Sequence, residues 1–377
     1  MRPRLRKGLA LLLLLTAGLS LSGCWDNREP QLRAYVLGMG IDPDPDDDQG
    51  LILSLQLPVP SAANPGKPGG GGAHGQEYFV VQGRGRSLAT AMQDAQDRVS
   101  RELFFGQMRA VVLSSTLQPS QAERVFTSMR ANPDVEDTVY LAITSGRAFD
   151  ALSTKVKLEP LPALYFNSVF EAVRRMTIAD PVQFWQFWRA DKTSGWEPVI
   201  PRVEQSQRDS LEVRGMGVYH GYEFRGFLDG EETQGFLWLQ GKTRSRSLVV
   251  ETPSGISAVR SLGSTARTSI RFEGNQPVFR VDIALHGEVS LPPNQQTGGA
   301  RELEEVAQAT QDRVRDQVEA VLTRAQEELR ADIFGFGKRL FYHHPRYFAG
   351  VDWSEIFPTV KIEPVVKVSI LRKGAIH

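Results

Sequence analysis

The residue whose type and position most clearly suggest chemistry is Cys24, the single cysteine of this 377-residue chain. It stands where a short apolar segment gives way to polar sequence, directly after Leu21-Ser22-Gly23. Basic residues lie between positions 2 and 7, and an apolar run follows over 9–21, which is the layout of a bacterial export signal. Because this run is shorter than the roughly 20 residues that span a bilayer, we interpret residues 1–23 as a signal peptide that is removed.

The small residues before Cys24 resemble the lipobox of bacterial lipoproteins. This resemblance implies that the Cys24 sulfur receives a diacylglycerol, that cleavage occurs after Gly23, and that the new amino terminus is acylated. Two or three acyl chains hold a protein on a bilayer stably, whereas one does so only marginally. Cys24 is then a lipid tether. The alternative is an ordinary secretory signal with an incidental cysteine.

The rest of the chain offers few candidates for catalysis or metal binding. With Cys24 lipidated, no cysteine remains for a disulfide or a thiolate metal site. The acidic turn 42–48 fails as a calcium loop, because Gln49 and Leu55 stand where such a loop needs glycine and glutamate. The six histidines are scattered, and only His343-His344 are neighbours. We therefore predict no catalytic residue, no metal, no cofactor other than the lipid, and no enzyme activity.

Two clusters of side chains have both a functional and a structural interpretation. The aromatic residues of 184–188 and Trp196 could line a ligand pocket, but helical aromatics at this density are more often core. The basic run 242–246 could meet anionic lipid headgroups, although a solvated strand edge is the commoner use of such residues. We favour the structural interpretation of both clusters.

The charge balance argues against nucleic acid as a partner. The chain has 44 basic and 44 acidic residues, and removing residues 1–23 takes away four of the basic ones. The mature chain is therefore slightly acidic, whereas binding to nucleic acid calls for a basic surface. The content of 41% hydrophobic and 23% charged residues is ordinary for a folded globular protein.

The sequence predicts an amino-terminal α+β domain over residues 24–200. Strand-like runs over 32–41 and 51–57 suggest a hairpin around the acidic turn. The Gly/Pro-rich stretch 58–76 is predicted to be a mobile loop. A helical block over 148–190 closes the domain, and its last helix is predicted over 181–190 with Asp180 as the cap.

A second α+β domain is predicted over residues 211–377. The polar stretch 204–210 is interpreted as extended chain at the boundary. A hairpin around His220-Gly221 and further strands lead into a long helix over 301–334, which Gly335 and Gly337 are predicted to end. A final strand follows over 361–371. The predicted class is a multi-domain α+β fold with mixed or antiparallel sheets and packed helices.

A series of short segments, in a fixed order along the chain, resembles the Ger(x)C family. The segments are Gly23-Cys24-Trp25-Asp26, Val36 to Asp42, Gly85 to Leu88, Gly146 to Ala148, Pro198 to Pro201, Gly235 to Leu239, Asp332 to Gly337, Trp353, Phe357 and Val368 to Gly374. Members of this family are the lipoprotein C subunits of GerA-type nutrient germinant receptors in bacterial spores. One departure is Gln107, which stands where the family commonly has histidine.

The resemblance implies a non-enzymatic subunit that is anchored by lipid to the outer face of the spore inner membrane. Its implied partners are the membrane-spanning A and B receptor subunits. Trp353 and Phe357 are expected to anchor the core, and Trp25, Asp26, Gly335 and Gly337 belong to the family motifs. The alternative function is that of a lipid-anchored solute-binding protein of a transporter, which would need a ligand cleft between two α/β lobes.

Overall fold

A computed structural model describes residues 30–59, 78–154, 156, 159, 161–176, 178–206, 210–253, 255–290 and 300–372. In the first half its elements are β1 (Arg33–Tyr35), β2 (Gly38–Asp44), β3 (Asp47–Pro58), β4 (Tyr78–Gly85), α1 (Leu88–Gln96), β5 (Glu102–Phe104), β6 (Ala110–Ser114), α2 (Pro119–Ala131), β7 (Tyr140–Thr144), α3 (Ala148–Ser153), α4 (Pro162–Met176), β8 (Val182–Gln183), α5 (Phe184–Asp191) and β9 (Val199–Ser206). In the second half they are β10 (Ser210–His220), β11 (Glu223–Leu228), α6 (Gly230–Leu239), β12 (Ser247–Thr252), β13 (Gly255–Glu273), β14 (Gln276–Ser290), α7 (Ala300–Thr323), α8 (Phe336–His343), α9 (Pro345–Phe348), α10 (Trp353–Ile356) and β15 (Lys361–Arg372).

The larger sheet of the described chain is mixed and has the strand order β11-β10-β9-β7-β6-β2-β3-β4, with β8 paired to β7. Strands β2, β6 and β7 run parallel, whereas β2-β3-β4 and β9-β10-β11 are antiparallel meanders. Side chains alternate across β6: Val111 and Leu113 face a core with α1 and α2, and Ala110 and Val112 face one with α3 and α4. The centre of this sheet is therefore covered by helices on both sides.

The smaller sheet has the order β12-β13-β14-β15. Its first three strands are antiparallel, and β15 joins β14 in parallel after the long helix α7. A parallel return of this kind requires a crossover, which α7 and the short helices after it supply. Valines of α7 at positions 314, 318 and 321 recur at helical spacing and face the core.

Helix α6 joins the layers that carry the two sheets. All residues from Thr233 to Leu239 are buried, because α6 packs against β10 and β11 on one side and against α7 on the other. One hydrophobic cluster runs from Met39 in β2 through Phe236 in α6 to Phe279 in β14. The predicted α+β class, with a long helix near the carboxyl end and a strand after it, is confirmed.

One prediction near the middle of the chain is wrong. The last helix of the helical block starts at Phe184, because Val182 and Gln183 pair with β7 as a short strand. Gln183 and not Asp180 precedes the first turn, and Asp180 instead forms an ion pair with Lys242. Of the stretch interpreted as a boundary, residues 204–206 belong to β9 and Ser210 begins β10.

The predicted boundary between residues 200 and 211 therefore falls inside one sheet, which takes strands from both sides of it. The division into two domains stays a prediction. The predicted loop 58–76 lies outside the described residues except for its first two positions.

The long helix also ends earlier than predicted. Helix α7 continues into a π turn over Arg324–Leu329, and Arg330 follows in the left-handed region at φ 49°. Gly335, at φ 75°, directly precedes α8, and Gly337 lies inside α8. Neither glycine ends the long helix. The segment between Arg330 and Gly335 is not helical, and it contains Asp332, whose side chain accepts several backbone hydrogen bonds.

Candidate functional site

The predicted lipidation residue Cys24 and its neighbours Trp25 and Asp26 lie outside the described residues. The described chain begins at Pro30 and enters the fold through β1, which pairs in parallel with β5. Of the residues singled out in the family motifs, Gly335, Gly337, Trp353 and Phe357 lie together in the second half.

Three of them, Gly335, Gly337 and Trp353, donate hydrogen bonds to the buried carboxylate of Asp332, and Phe357 packs against Trp353 with ring centroids 5.9 Å apart. Oδ1 of Asp332 accepts hydrogen bonds from the backbone N–H groups of Phe334, Gly335 and Phe336 at 2.9–3.2 Å. Oδ2 accepts from the Gly337 N–H at 2.7 Å and from the Trp353 indole N–H at 3.0 Å. We call Asp332, the backbone of 334–337 and Trp353 the Asp332 node.

The electrostatics of the Asp332 node result from two opposing effects. Burial raises the pKa of Asp332 to about 7, because a charged carboxylate is disfavoured away from water, and the hydrogen bonds from Gly337, Phe336, Trp353 and Gly335 partly offset this increase. Gly337 must be glycine, since an added Cβ would lie 2.3 Å from the Trp353 indole nitrogen. Trp353 is 7% exposed and Phe357 is 1% exposed, and both belong to the main core.

The Asp332 node also holds the two halves of the chain together. The Glu197 N–H donates to the Asp332 carbonyl at 2.9 Å, and the Lys338 N–H donates to the Gly195 carbonyl at 2.8 Å. Gly195 has φ 71°, and a Cβ there would meet the Gly337 backbone at 2.5 Å. The segment before β9 is thus fixed by backbone contacts to the segment before α8.

A second buried carboxylate joins two other motif segments. Oδ1 and Oδ2 of Asp42 accept from the N–H groups of Ala148 and Phe149 at 2.7 and 3.0 Å, at the start of α3. Burial raises the pKa of Asp42, and these two hydrogen bonds lower it in part. Asp42 therefore has a structural role, and its carboxylate is not available as a calcium ligand. Gln107 is exposed in the turn between β5 and β6.

The aromatic cluster of α5 divides between core and surface. Phe184 and Phe187 are buried, and Phe187 stacks on Phe126 with ring centroids 4.1 Å apart. Trp185 and Trp188 lie on the outward side of the same helix, and Trp185 is 38% exposed. The core interpretation is right for the phenylalanines and wrong for Trp185.

Cations lie over the outward tryptophans. Arg189 stacks on Trp185 and Trp196, with its guanidinium carbon 4.9 and 5.3 Å from the ring centroids. The Lys338 ammonium lies 3.9 Å from the Trp196 ring, and Arg130 and Lys192 flank Trp188. We call this surface the tryptophan face; its members are Trp185, Trp188, Trp196, Arg130, Arg189, Lys192 and Lys338.

The cavity beside the tryptophan face has a volume of about 50 Å³ and is lined by Phe187, Trp196, Phe236 and Lys242, among others. Ligand pockets in proteins typically measure about 300–1,000 Å³. This cavity therefore suits a water molecule or two and not a nutrient.

Over the described ranges, no three His, Cys, Asp or Glu side chains are grouped so that they could hold a metal ion. No helix in the described part of the chain combines the length and the apolar character needed to cross a bilayer.

Sequence reasoning found the motif containing Asp332 but not the role of this residue. The signal was present in the short run Asp332-Ile-Phe-Gly-Phe-Gly337, where an aspartate precedes two glycines that leave room for backbone N–H groups to converge. Its partner Trp353 lies 21 residues further on, which no local pattern reveals.

Comparison with known families gives two consecutive matches. Residues 26–205 match the family described as the spore germination protein N-terminal domain. Residues 214–374 match the family described as spore germination B3/GerAC like, C-terminal. Together the two matches cover most of the chain.

Individual relatives are similar over nearly their whole length. The putative spore germination protein YfkR of Bacillus subtilis (strain 168) is 22% identical over 95% of this chain and 94% of its own. Spore germination protein KC of the same organism is 21% identical over 98% and 96%. The crystal structure of the GerBC protein has a TM-score of 0.59 at 17% identity and covers 89% of this chain and 97% of its own, which supports the fold.

Proposed function

The chain belongs to the GerAC-like family of spore germination proteins, and from this premise we propose that it is the lipid-anchored C subunit of a nutrient germinant receptor. The observation that carries the proposal is the pair of family matches, in order, over residues 26–205 and 214–374. In this proposal the subunit has no catalytic role and assembles with membrane-spanning A and B subunits at the spore inner membrane.

The lipid on Cys24 would act by confinement. A tether restricts the folded body to a thin layer beside the membrane, which raises its effective concentration near membrane-embedded partners without any new contact. Nutrient binding then belongs to the A and B subunits. The C subunit stabilises the complex or couples nutrient occupancy to the release of ions and dipicolinate.

The buried carboxylates support a scaffolding role of this kind. Asp42 and Asp332 accept only N–H donors from their own chain, and the Asp332 node fixes the junction of the two halves. A body stiffened at this junction can transmit a displacement from one partner to another, because packed interiors resist deformation.

The test is dipicolinate release from spores that lack this chain. We expect these spores to lose their response to one class of nutrient mixtures and to keep their response to a non-nutrient trigger that bypasses receptors. Spores carrying the restored gene serve as the control. An unchanged response across a broad nutrient panel, in a strain without sister receptors, would contradict the proposal.

The same strains separate the proposal from a solute-binding role. A solute-binding protein would change the uptake of its ligand and leave germination intact. A thermal-shift screen of the purified chain with nutrients adds a second readout, since a ligand that binds only the folded state raises its apparent stability. We expect no such shift from the isolated C subunit.

A further inference from the structure

The tryptophan face has the composition of a membrane interface. Tryptophan is enriched where a protein meets lipid headgroups, because one end of the ring is apolar and the other donates a hydrogen bond. Trp185 and Trp188 are three residues apart on α5, and Trp196 is joined to Trp185 through Arg189, which stacks on both. The three indoles therefore form one continuous surface.

The cations of this face differ in whether a carboxylate already neutralises them. Arg130 pairs with Asp137 at 3.0 Å, and Lys192 pairs with Asp191 at 2.8 Å. Among the described residues, Arg189 and Lys338 contact aromatic rings but no carboxylate within ion-pair distance. These two side chains are free to attract an anionic group outside the protein.

Lys338 is also surrounded by other positive charges. Partial burial and the neighbouring charges of Arg189, Arg339 and Lys242 lower the pKa of its ammonium group. Lys242 is neutralised by Asp180, which leaves Arg189 and Lys338 as like charges beside Trp196. An external anion would relieve this repulsion.

Helix α5, which carries Trp185 and Trp188, starts at the end of the larger sheet at which the parallel strands β2, β6 and β7 begin. A line of backbone hydrogen bonds crosses that end: the Arg109 N–H donates to Leu37, the Tyr140 N–H to Arg109, and the Phe184 N–H to Val139. Each step is about 4.8 Å, the spacing of neighbouring strands. Helix α5 thus starts roughly 10–15 Å from the point where the chain joins β2.

The chain before β1 is short enough to hold this end of the sheet near the bilayer. Eight residues lie between Cys24 and Arg33, so the nine Cα–Cα steps from one to the other span at most about 32 Å. A lipid on Cys24 would therefore keep this end of the sheet close to the headgroups.

We propose that the tryptophan face docks on anionic lipid headgroups, with Trp185 and Trp188 in the interfacial layer and Arg189 and Lys338 against lipid phosphates. The inference rests on the proposed lipid tether. It adds an orientation. The end of the larger sheet at which β2, β6 and β7 begin faces the membrane, and the β13–β14 hairpin does not share this contact.

The test uses the full lipidated chain reconstituted into vesicles of phosphatidylglycerol with brominated acyl chains, which quench nearby tryptophans. A Trp25→Phe background removes the tryptophan next to the tether, and Trp238 and Trp353 are buried in the core. We expect quenching that falls sharply in the Trp185→Phe/Trp188→Phe variant, in which Trp196 is the one tryptophan left in this face. We also expect weaker quenching in Arg189→Glu/Lys338→Glu and in brominated phosphatidylcholine.

The matched control is Arg267→Glu/Arg346→Glu, which reverses two exposed charges away from this face and should leave the quenching unchanged. Flotation with the vesicles measures separately whether the lipid tether attaches the chain to the membrane. A chain that does not float would contradict the proposed function, whereas the docking proposal is decided by the quenching. A chain that floats with Trp185 and Trp188 unquenched would overturn the docking proposal and assign the face to a protein partner. Equal quenching in the Arg189→Glu/Lys338→Glu variant would also overturn it.

Discussion

At the scale of single residues, the stability of the junction depends on one carboxylate. Asp332 is 3% exposed, and each of its five hydrogen-bond donors is an N–H group. Hydrogen bonds to a charged acceptor are stronger than neutral ones, and a buried donor left without a partner is costly. Above its raised pKa Asp332 is ionised and presents two acceptor oxygens to these donors, a requirement that asparagine cannot meet.

We expect Asp332→Asn to lower the free energy of unfolding by about 3 kcal/mol, measured by urea denaturation. In either orientation the asparagine amide places an N–H group against at least two of the donors. Asp352→Asn is the matched control, because Asp352 is an exposed cap of α10 and asparagine caps helices equally well. Equal stability of the two variants would contradict the role assigned to the Asp332 node.

Asp332 also predicts a pH dependence of stability. Its pKa is raised from 3.8 to about 7, so the folded state holds a proton that the unfolded state releases. The stability contributed by this proton is fully present below pH 3.8 and is lost as the pH rises through 7. Urea midpoints of the wild type should therefore fall over this window more steeply than those of Asp332→Asn. Parallel pH profiles would count against the raised pKa.

At the scale of elements, α6 and α7 pack unusually closely. A Cβ on Gly235 would lie 2.1 Å from the Gln317 carbonyl oxygen, so the helices meet at backbone contact distance. Beside this contact the Trp238 indole N–H donates to the Gln317 side chain at 2.9 Å. The glycine sets the approach, and the buried hydrogen bond sets the register.

Gly235→Ala should destabilise the protein by about 2 kcal/mol, although alanine favours helices, because overpacking forces the helices apart. Gly230→Ala in the first turn of the same helix is the control, since nothing lies within 4 Å of an added Cβ there. We expect this control to be neutral or slightly stabilising. Thermal unfolding of both variants would decide, and a stabilised Gly235→Ala would refute the close approach.

The sequence predicted elements where one face is buried and the other is solvated. Strand β14 has this pattern and was predicted near its observed bounds, and helix α7 has it and was predicted near its observed start. Helix α6 was missed because it is buried on all sides, which removes the periodicity on which the prediction depends. The pairing of Val182 with β7 was missed because it depends on a strand forty residues earlier.

At the scale of the whole molecule, the core is continuous while the attachment to the membrane is expected to be local. The main hydrophobic cluster includes residues from the first strands to β15, so folding does not require the lipid. The motifs predicted from the sequence alone that this chain belongs to its family. The contact between Gly195 and Gly337 could not be predicted, because it joins residues far apart in the chain that no local pattern connects.

We expect Cys24→Ala to abolish lipidation and leave the unfolding transition unchanged. The lipid is measured by mass spectrometry of the amino-terminal peptide, and membrane attachment by flotation after a high-salt wash. Ser22→Ala exchanges one small residue for another before the cysteine and should keep the lipid. A lipid adduct that persists in Cys24→Ala would disprove the assignment of the tether.

The parallel pairing of β14 with β15 has a consequence for biosynthesis. The two strands pair over twelve positions from Val278↔Lys361 to Val289↔Arg372, and every other described strand is synthesised before β15. Until that segment emerges, β14 is an open edge that could pair with a neighbouring nascent chain. Chains that stall before residue 361 should therefore be the aggregating fraction during expression, and full-length chains should acquire protease resistance in a single late step.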